Sequence, residues 1–145
     1  MTVTNETKHI QWEKVTEGQM LPTYQKPPIT KVQLVKYAGA SGDFNPLHTD
    51  DAFAQAIGMP GVIAHGMLIM GFLGEYVMQL AGDSTQVKQF SMRFGAMTFP
   101  GDTVTCGAQV KEINNRQVSL ELTAKKQDGT VVGTGKAVVA CDITY

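Results

Sequence analysis

The run HGMLIMGFLGEYVMQLAG, His65 to Gly82, is apolar on almost every side. A helix without a polar face must be covered all round, so this segment reads as a helix over about residues 65–80 enclosed by the core. It is shorter than a bilayer span and contains Glu75, which argues against a transmembrane role. Gly71 and Gly74, three apart on one face, lower helix propensity and imply close approach of a sheet or a substrate. The covering material follows in the chain. After Asp83 the apolar period changes to that of strands. VKQFSMRFGAMTFPGD reads as a long strand ending at Pro100, and TVTCGAQVKEI alternates at Val104, Cys106, Ala108 and Val110 before a turn at Asn114 and Asn115. RQVSLELTAKK alternates at Val118, Leu120, Leu122 and Ala124, and TVVGTGKAVVACDI follows a turn at Asp128 and Gly129. Four antiparallel strands in a meander, curved around one buried helix, make an α+β fold that leaves the fewest apolar faces exposed.

Upstream, LPTYQKPPIT carries three prolines and reads as an extended edge or covering loop. TKVQLVKYAGAS reads as a helix capped by Thr30, with Val32, Leu34, Val35, Tyr37 and Ala38 forming its apolar face. DAFAQAIG reads as a second, short helix capped by Asp50 or Thr49 and stopped by Gly58 and Pro60. At 145 residues and 43% hydrophobic content the chain suffices for one core, so residues 1–145 are expected to form a single domain, with 1–30 less regular.

Charge and targeting signals narrow the function classes. The net charge of -1, with no basic run, offers no footprint for nucleic acid. The first fifteen residues lack an apolar or Arg-rich leader pattern, so a cytoplasmic location and no membrane association are expected. Cys106 and Cys141 form no CxxC pair and read as small hydrophobes in a reducing compartment.

Two short motifs carry candidate chemistry. In SGDFNPLHTD, Pro46 fixes its own backbone and biases Asn45 to an extended conformation, so Asp43 and His48 share a bent, stiffened loop. These are also ordinary turn residues. A carboxylate beside an imidazole nevertheless suits a general base near neutral pH. His65 and Gly66 open the apolar helix; they are equally compatible with packing roles, yet the first N–H groups of a helix lack intrahelical acceptors and carry the positive end of the dipole. With no Cβ at Gly66, a carbonyl oxygen gaining negative charge can approach its N–H. GTVVGTGKA fails as a phosphate loop, because its glycine spacing is one residue too long and Ala137 stands where Ser or Thr is required. Asp43, His48 and His65 lack a recognised metal-binding spacing, so no metal is expected. The eight methionines read first as core filler.

Taken together, YAGASGDFNPLHTDDAFAQAIG and the following GVIAHGML resemble the MaoC-like family of (R)-specific enoyl-thioester hydratases and 3-hydroxyacyl dehydratases, which have a hot-dog fold. The resemblance implies that Asp43 and His48 hold and activate water and that the Gly66 N–H binds the thioester carbonyl. It gives Asn45, Pro46, His65 and Met67 loop-ordering or substrate-adjacent places. Some relatives carry a serine where this chain has Gly74, so no role from that helix position transfers. No cofactor is implied. The implied partners are an acyl-CoA or acyl carrier protein substrate and a second hot-dog subunit, most simply a copy of this chain, alternatively a different subunit. A hot-dog thioesterase and an acyl-binding partner subunit are the competing readings.

Overall fold

The computed structural model describes residues 10–141. The leader expectation and the last residues of the final strand run therefore fall partly outside the described chain. A short 3-10 turn, Trp12–Lys14, and a two-residue strand β1, Tyr24–Gln25, precede helix α1, Lys31–Ser41. Helix α2, Asp51–Ala56, and helix α3, Gly66–Ala81, follow, and then strands β2, Gln86–Phe94, β3, Val104–Asn114, β4, Gln117–Lys126, and β5, Val131–Ala140. All five strands form one antiparallel sheet in the order β1-β3-β4-β5-β2.

One face of that sheet covers α3. Val104, Cys106, Ala108 and Val110 of β3 and Val118, Leu120, Leu122 and Ala124 of β4 are buried, as their alternation requires. They meet Leu68, Ile69, Phe72, Leu73, Tyr76, Val77 and Leu80 of α3 in one cluster. The one acid of the helix is satisfied: Lys26 Nζ lies 2.7 Å from Glu75 Oε2, and the same ammonium sits over the Phe72 ring. Enclosure is incomplete, however, because Met67 and Met78 are exposed.

Four expectations need correction. First, β2 stops at Phe94 rather than Pro100. The Gly95 and Ala96 N–H groups donate to Val132 and Val131 at the start of β5, where the partner strand runs out, and a Cβ at Gly95 would lie 2.6 Å from the Val131 carbonyl oxygen. The chain then leaves the sheet, and the Thr98 carbonyl accepts the Ala64 N–H. Second, the strands are not a simple meander, because β2 pairs with β5. The free edge of β3 is already taken by β1 and by N–H groups of Gly18, Leu21 and Lys26, which bond Val110, Ala108 and Val104. Third, Val32 and Val35 of α1 are 63% and 57% exposed; only Leu34 and Ala38 are buried, because a peripheral helix presents one narrow stripe to the core. Fourth, the β3–β4 turn is centred one residue later, on Asn115 and Arg116, both with positive φ.

The caps agree with the sequence: Thr30 and Gln33 form a capping box on α1, and Asp50 caps α2. Of the two helix glycines, Gly74 faces the Phe90 ring of β2 and Gly71 faces open space. Leu73, fully buried where α3 meets the sheet, is expected to cost about 2–5 kcal/mol when truncated to Ala. Val35→Ala on the exposed side of α1 is expected to change stability by less than about 0.5 kcal/mol. Urea unfolding of the two variants measures both, and equal losses would contradict this placement of the core.

Candidate active site

The loop after α1 is built from successive side-chain-to-backbone hydrogen bonds. Gly42 ends the helix with φ 76°, a left-handed conformation that glycine adopts without strain. The Asp43 N–H donates to Ser41 Oγ at 3.2 Å, the Asn45 N–H to Asp43 Oδ1 at 3.2 Å, and the Leu47 N–H to Asn45 Oδ1 at 3.0 Å. Pro46 opens a 3-10 turn, Pro46–His48, and its carbonyl accepts the Asp50 N–H at 2.8 Å. Asp50 then caps α2. Turn-forming residues thus fix the backbone from Ser41 to Asp50, and the two titratable side chains are carried on it.

His48 is held on a second side. Its Nδ1 lies 2.8 Å from the Ile63 carbonyl oxygen, which only accepts, so Nδ1 carries the proton. In the neutral ring Nε2 is then the lone-pair nitrogen. That atom lies 3.7 Å from Asp43 Oδ2, beyond direct hydrogen-bond range. The His48 side chain is 11% exposed and that of Asp43 51% exposed, so the pair combines a sheltered base with a solvated carboxylate.

His65 joins this pair to α3. Its ring is 1% exposed and stacks on His48, with centroids 3.8 Å apart and planes 22° apart. Tyr37 of α1 meets it edge-on at 4.7 Å. His65 Nε2 donates to the Asp43 carbonyl oxygen at 3.2 Å, while its Nδ1 is buried with no partner among the described residues. Burial holds the His65 pKa below its ordinary value; the Asp43 carbonyl opposes that shift and the neighbouring His48 adds to it. A neutral ring is also the one that stacks on a second imidazole without repulsion.

His65 is the N-cap of α3, so Gly66 is its first residue. The first N–H groups of a helix have no intrahelical acceptor. They emerge one residue from the ring that touches both Asp43 and His48. A Cβ at Gly66 would stand 3.1 Å from the Phe94 ring, which flanks the helix terminus from the end of β2. Met67 is exposed beside it. The structure therefore gathers Asp43, Asn45, Pro46, His48, His65, Gly66 and Met67 around one loop and one helix end. Sequence reasoning missed the Ile63 carbonyl, which leaves no side-chain signal, and the Phe94 ring. Tyr37 had only an apolar reading.

Ligand atoms of Asp43, His48 and His65 lie within 4.8 Å of one another. Two of the four ring nitrogens are committed to carbonyls and His65 Nδ1 is buried, which leaves a cation His48 Nε2 and one exposed carboxylate. That set falls short of the three protein ligands usual in a catalytic zinc site.

The family model described as MaoC like domain matches residues 12–132. The (R)-specific enoyl-CoA hydratase of Aeromonas caviae is 34% identical over 129 residues, which cover 84% of this chain and 96% of that one. The solved structure of an A. caviae (R)-hydratase involved in PHA biosynthesis superposes with a TM-score of 0.78 at 31% identity, over 90% of this chain and 99% of that chain. The unliganded R-hydratase PhaJ1 of Pseudomonas aeruginosa gives 0.81 at 28% identity, over 90% and 84%. A further match, the fatty acid synthase beta subunit TOXC of Cochliobolus carbonum, is 32% identical over 74% of this chain, which spans only 5% of that protein.

The buried imidazole has a consequence for stability. The unfolded ring takes up a proton near pH 6.5, whereas folded His65 resists it to lower pH, so the unfolded state binds more protons in that window. The contribution is complete above about pH 6.5 and is lost as pH falls through the depressed folded pKa. His65→Gln is expected to flatten the decline of the urea midpoint as pH falls below about 6.5, relative to the parent. Parallel declines would show that His65 is not the responsible group.

Proposed function

The chain belongs to the MaoC-like family, and from that membership we propose that it is a hydro-lyase that reversibly adds water to trans-2-enoyl thioesters of coenzyme A or acyl carrier protein, giving (R)-3-hydroxyacyl thioesters. The observation that carries this reading is the convergence of Asp43 Oδ2 and His48 Nε2, 3.7 Å apart, with the proton of His48 held on Nδ1 by Ile63. A single water donating to the carboxylate and to Nε2 is then oriented with its oxygen free to attack.

Attack of that oxygen on C3 releases one water proton to Nε2. The C2–C3 π electrons move toward the carbonyl, whose developing negative charge the Gly66 N–H receives at the positive end of α3. The imidazolium returns the proton to C2. Hydrogen and hydroxyl are both accounted for by water, and no electron carrier is required. The (R) sense is taken from the family; the shared water accounts for addition to one face.

A thioesterase of this fold is less well supported. It would hydrolyse the same thioesters with an acidic residue, and the presence of both Asp43 and His48 in one loop argues against it. An acyl-binding subunit without activity would not require the His48 tautomer to be fixed. Assembly is read from the surface: among the described residues β2 is paired on one side only, and Phe44 and Phe94 beside the site are exposed at 69% and 54%. A second copy joining edge to edge would cover both features. We read residues 1–145 as one domain acting in the cytoplasm; among the described residues no helix is long and apolar enough to cross a membrane.

Purified protein is expected to bleach the conjugated absorbance of crotonyl-CoA without releasing free thiol. Asp43→Asn and His48→Gln are each expected to slow this by roughly a hundredfold or more with the fold intact. Thiol release would instead indicate a thioesterase, and near-parental rates in either variant would remove that residue from the mechanism. Gly66→Pro deletes one N–H at a helix position that tolerates proline. It is expected to cripple turnover, and a folded, fully active variant would place the carbonyl elsewhere.

A further inference from the structure

Residues 61–65 link α2 to α3, and their backbone is tied down almost residue by residue. The Ile63 N–H donates to the Leu47 carbonyl at 3.1 Å, the Ile63 carbonyl accepts from His48 Nδ1 at 2.8 Å, and the Ala64 N–H donates to the Thr98 carbonyl at 2.8 Å. One further tie comes from a side chain. The N–H of Val62, a residue only 3% exposed, donates to Asp51 Oδ1 at 2.9 Å. The other carboxylate oxygen of Asp51 pairs with Lys31 Nζ from the start of α1. Gly61 makes room for this carboxylate, since a Cβ there would stand 3.0 Å from Asp51 Oδ1.

The residues on either side of Ile63 are thus each anchored by their N–H, Val62 to Asp51 and Ala64 to Thr98. Together these anchors set the direction in which the Ile63 carbonyl points. A neutral imidazole free in water prefers its proton on Nε2, so keeping the proton of His48 on Nδ1 depends on where that carbonyl stands. One anchor is backbone to backbone; the other is a side chain. Asp51 is kept ionised, because the Lys31 ammonium and the Val62 N–H hold its carboxyl below the ordinary carboxylate value. A charged acceptor makes the stronger hydrogen bond.

We propose that Asp51 is a positioning residue for the reaction: through Val62 it fixes the Ile63 carbonyl, and through that carbonyl it keeps the proton of His48 on Nδ1 and the lone pair on Nε2. The proposal rests on the hydratase reading for the reaction it serves. Its effect on the His48 tautomer is independent of any substrate.

The test compares the parent with three variants. Asp51→Ala removes the acceptor, Asp51→Asn keeps a neutral acceptor oxygen and loses the charge, and Lys31→Met removes only the ion pair. For each, kcat and KM are measured with crotonyl-CoA, and nitrogen NMR at a pH where the ring is neutral identifies which nitrogen of His48 carries the proton, the signals being assigned by their loss in His48→Gln. Asp51→Ala is expected to lower kcat by about tenfold with KM little changed, and to move His48 toward the Nε2–H tautomer. Asp51→Asn is expected to keep the parental tautomer and most of kcat. Lys31→Met, which breaks an exposed pair, is expected to stay within about twofold of the parent. A parental His48 tautomer in folded Asp51→Ala would overturn the proposal whether or not kcat falls, since any loss would then arise elsewhere than at His48. A shifted tautomer with parental kcat would overturn it as well, as would equal losses in Asp51→Ala and Asp51→Asn, which would trace the effect to charge. A shifted tautomer together with no hydration by the parent would overturn the hydratase reading and leave the hold of Asp51 on His48 standing.

Discussion

Helix α3 has almost no polar side, and burying it against the sheet is the constraint from which the other features follow. Its eight buried residues stand against the inward rows of the sheet, and the only acid along it is tied to Lys26. A helix fixed so firmly has fixed ends. Its N-terminus therefore delivers unsatisfied N–H groups to a defined point, and the helix dipole is aimed there at no further conformational cost. Glycine at positions 66 and 74 lets β2 close over the helix with aromatic side chains, which leaves the terminus flanked by Phe94 rather than by a side chain of its own.

His65 converts that rigid end into a site. Because it is the residue that caps α3, its position is set by the core, and it passes that position to the loop through a stack on His48 and a hydrogen bond to the Asp43 carbonyl. The Ile63 carbonyl adds the last degree of control by choosing which nitrogen of His48 holds the proton. Asn45 and Pro46 fold the loop locally, but it is the contact with His65 and Ile63 that registers the loop against the helix. In the proposed mechanism His65 acts through its neighbours, as a positioning residue.

Much of this was legible in the sequence, and the reasons are physical. Periodicity reports which face of a segment is buried, so the helix, the strands β3 to β5 and the cap at Thr30 follow from residue types alone, while the cap of α2 is narrowed by them only to Thr49 or Asp50. Periodicity does not report partners. Nothing in the residues of β2 says that it pairs with β5, since that outcome is decided by β1 and the preceding loop occupying the edge of β3. Val32 and Val35 were misjudged because apolar character is a statement about tolerance of burial, and a peripheral helix has little core to offer. That Asp43 and His48 share one stiffened loop was visible in their spacing, whereas the tautomer, the stack and the Phe90 and Phe94 contacts are set by residues distant in sequence.

The central claim is that Asp43 and His48 act together on one water, on one face of the double bond, with the carbonyl held from the helix terminus. Hydration of crotonyl-CoA in deuterated water, followed by chiral chromatography and NMR assignment of the deuterium at C2, tests it most directly. The account predicts an (R)-3-hydroxy product with oxygen and deuterium added to the same face. An (S) product would contradict the stereochemistry taken from the family, and addition to opposite faces would require an acid across the substrate from this loop, which contradicts the shared-water mechanism.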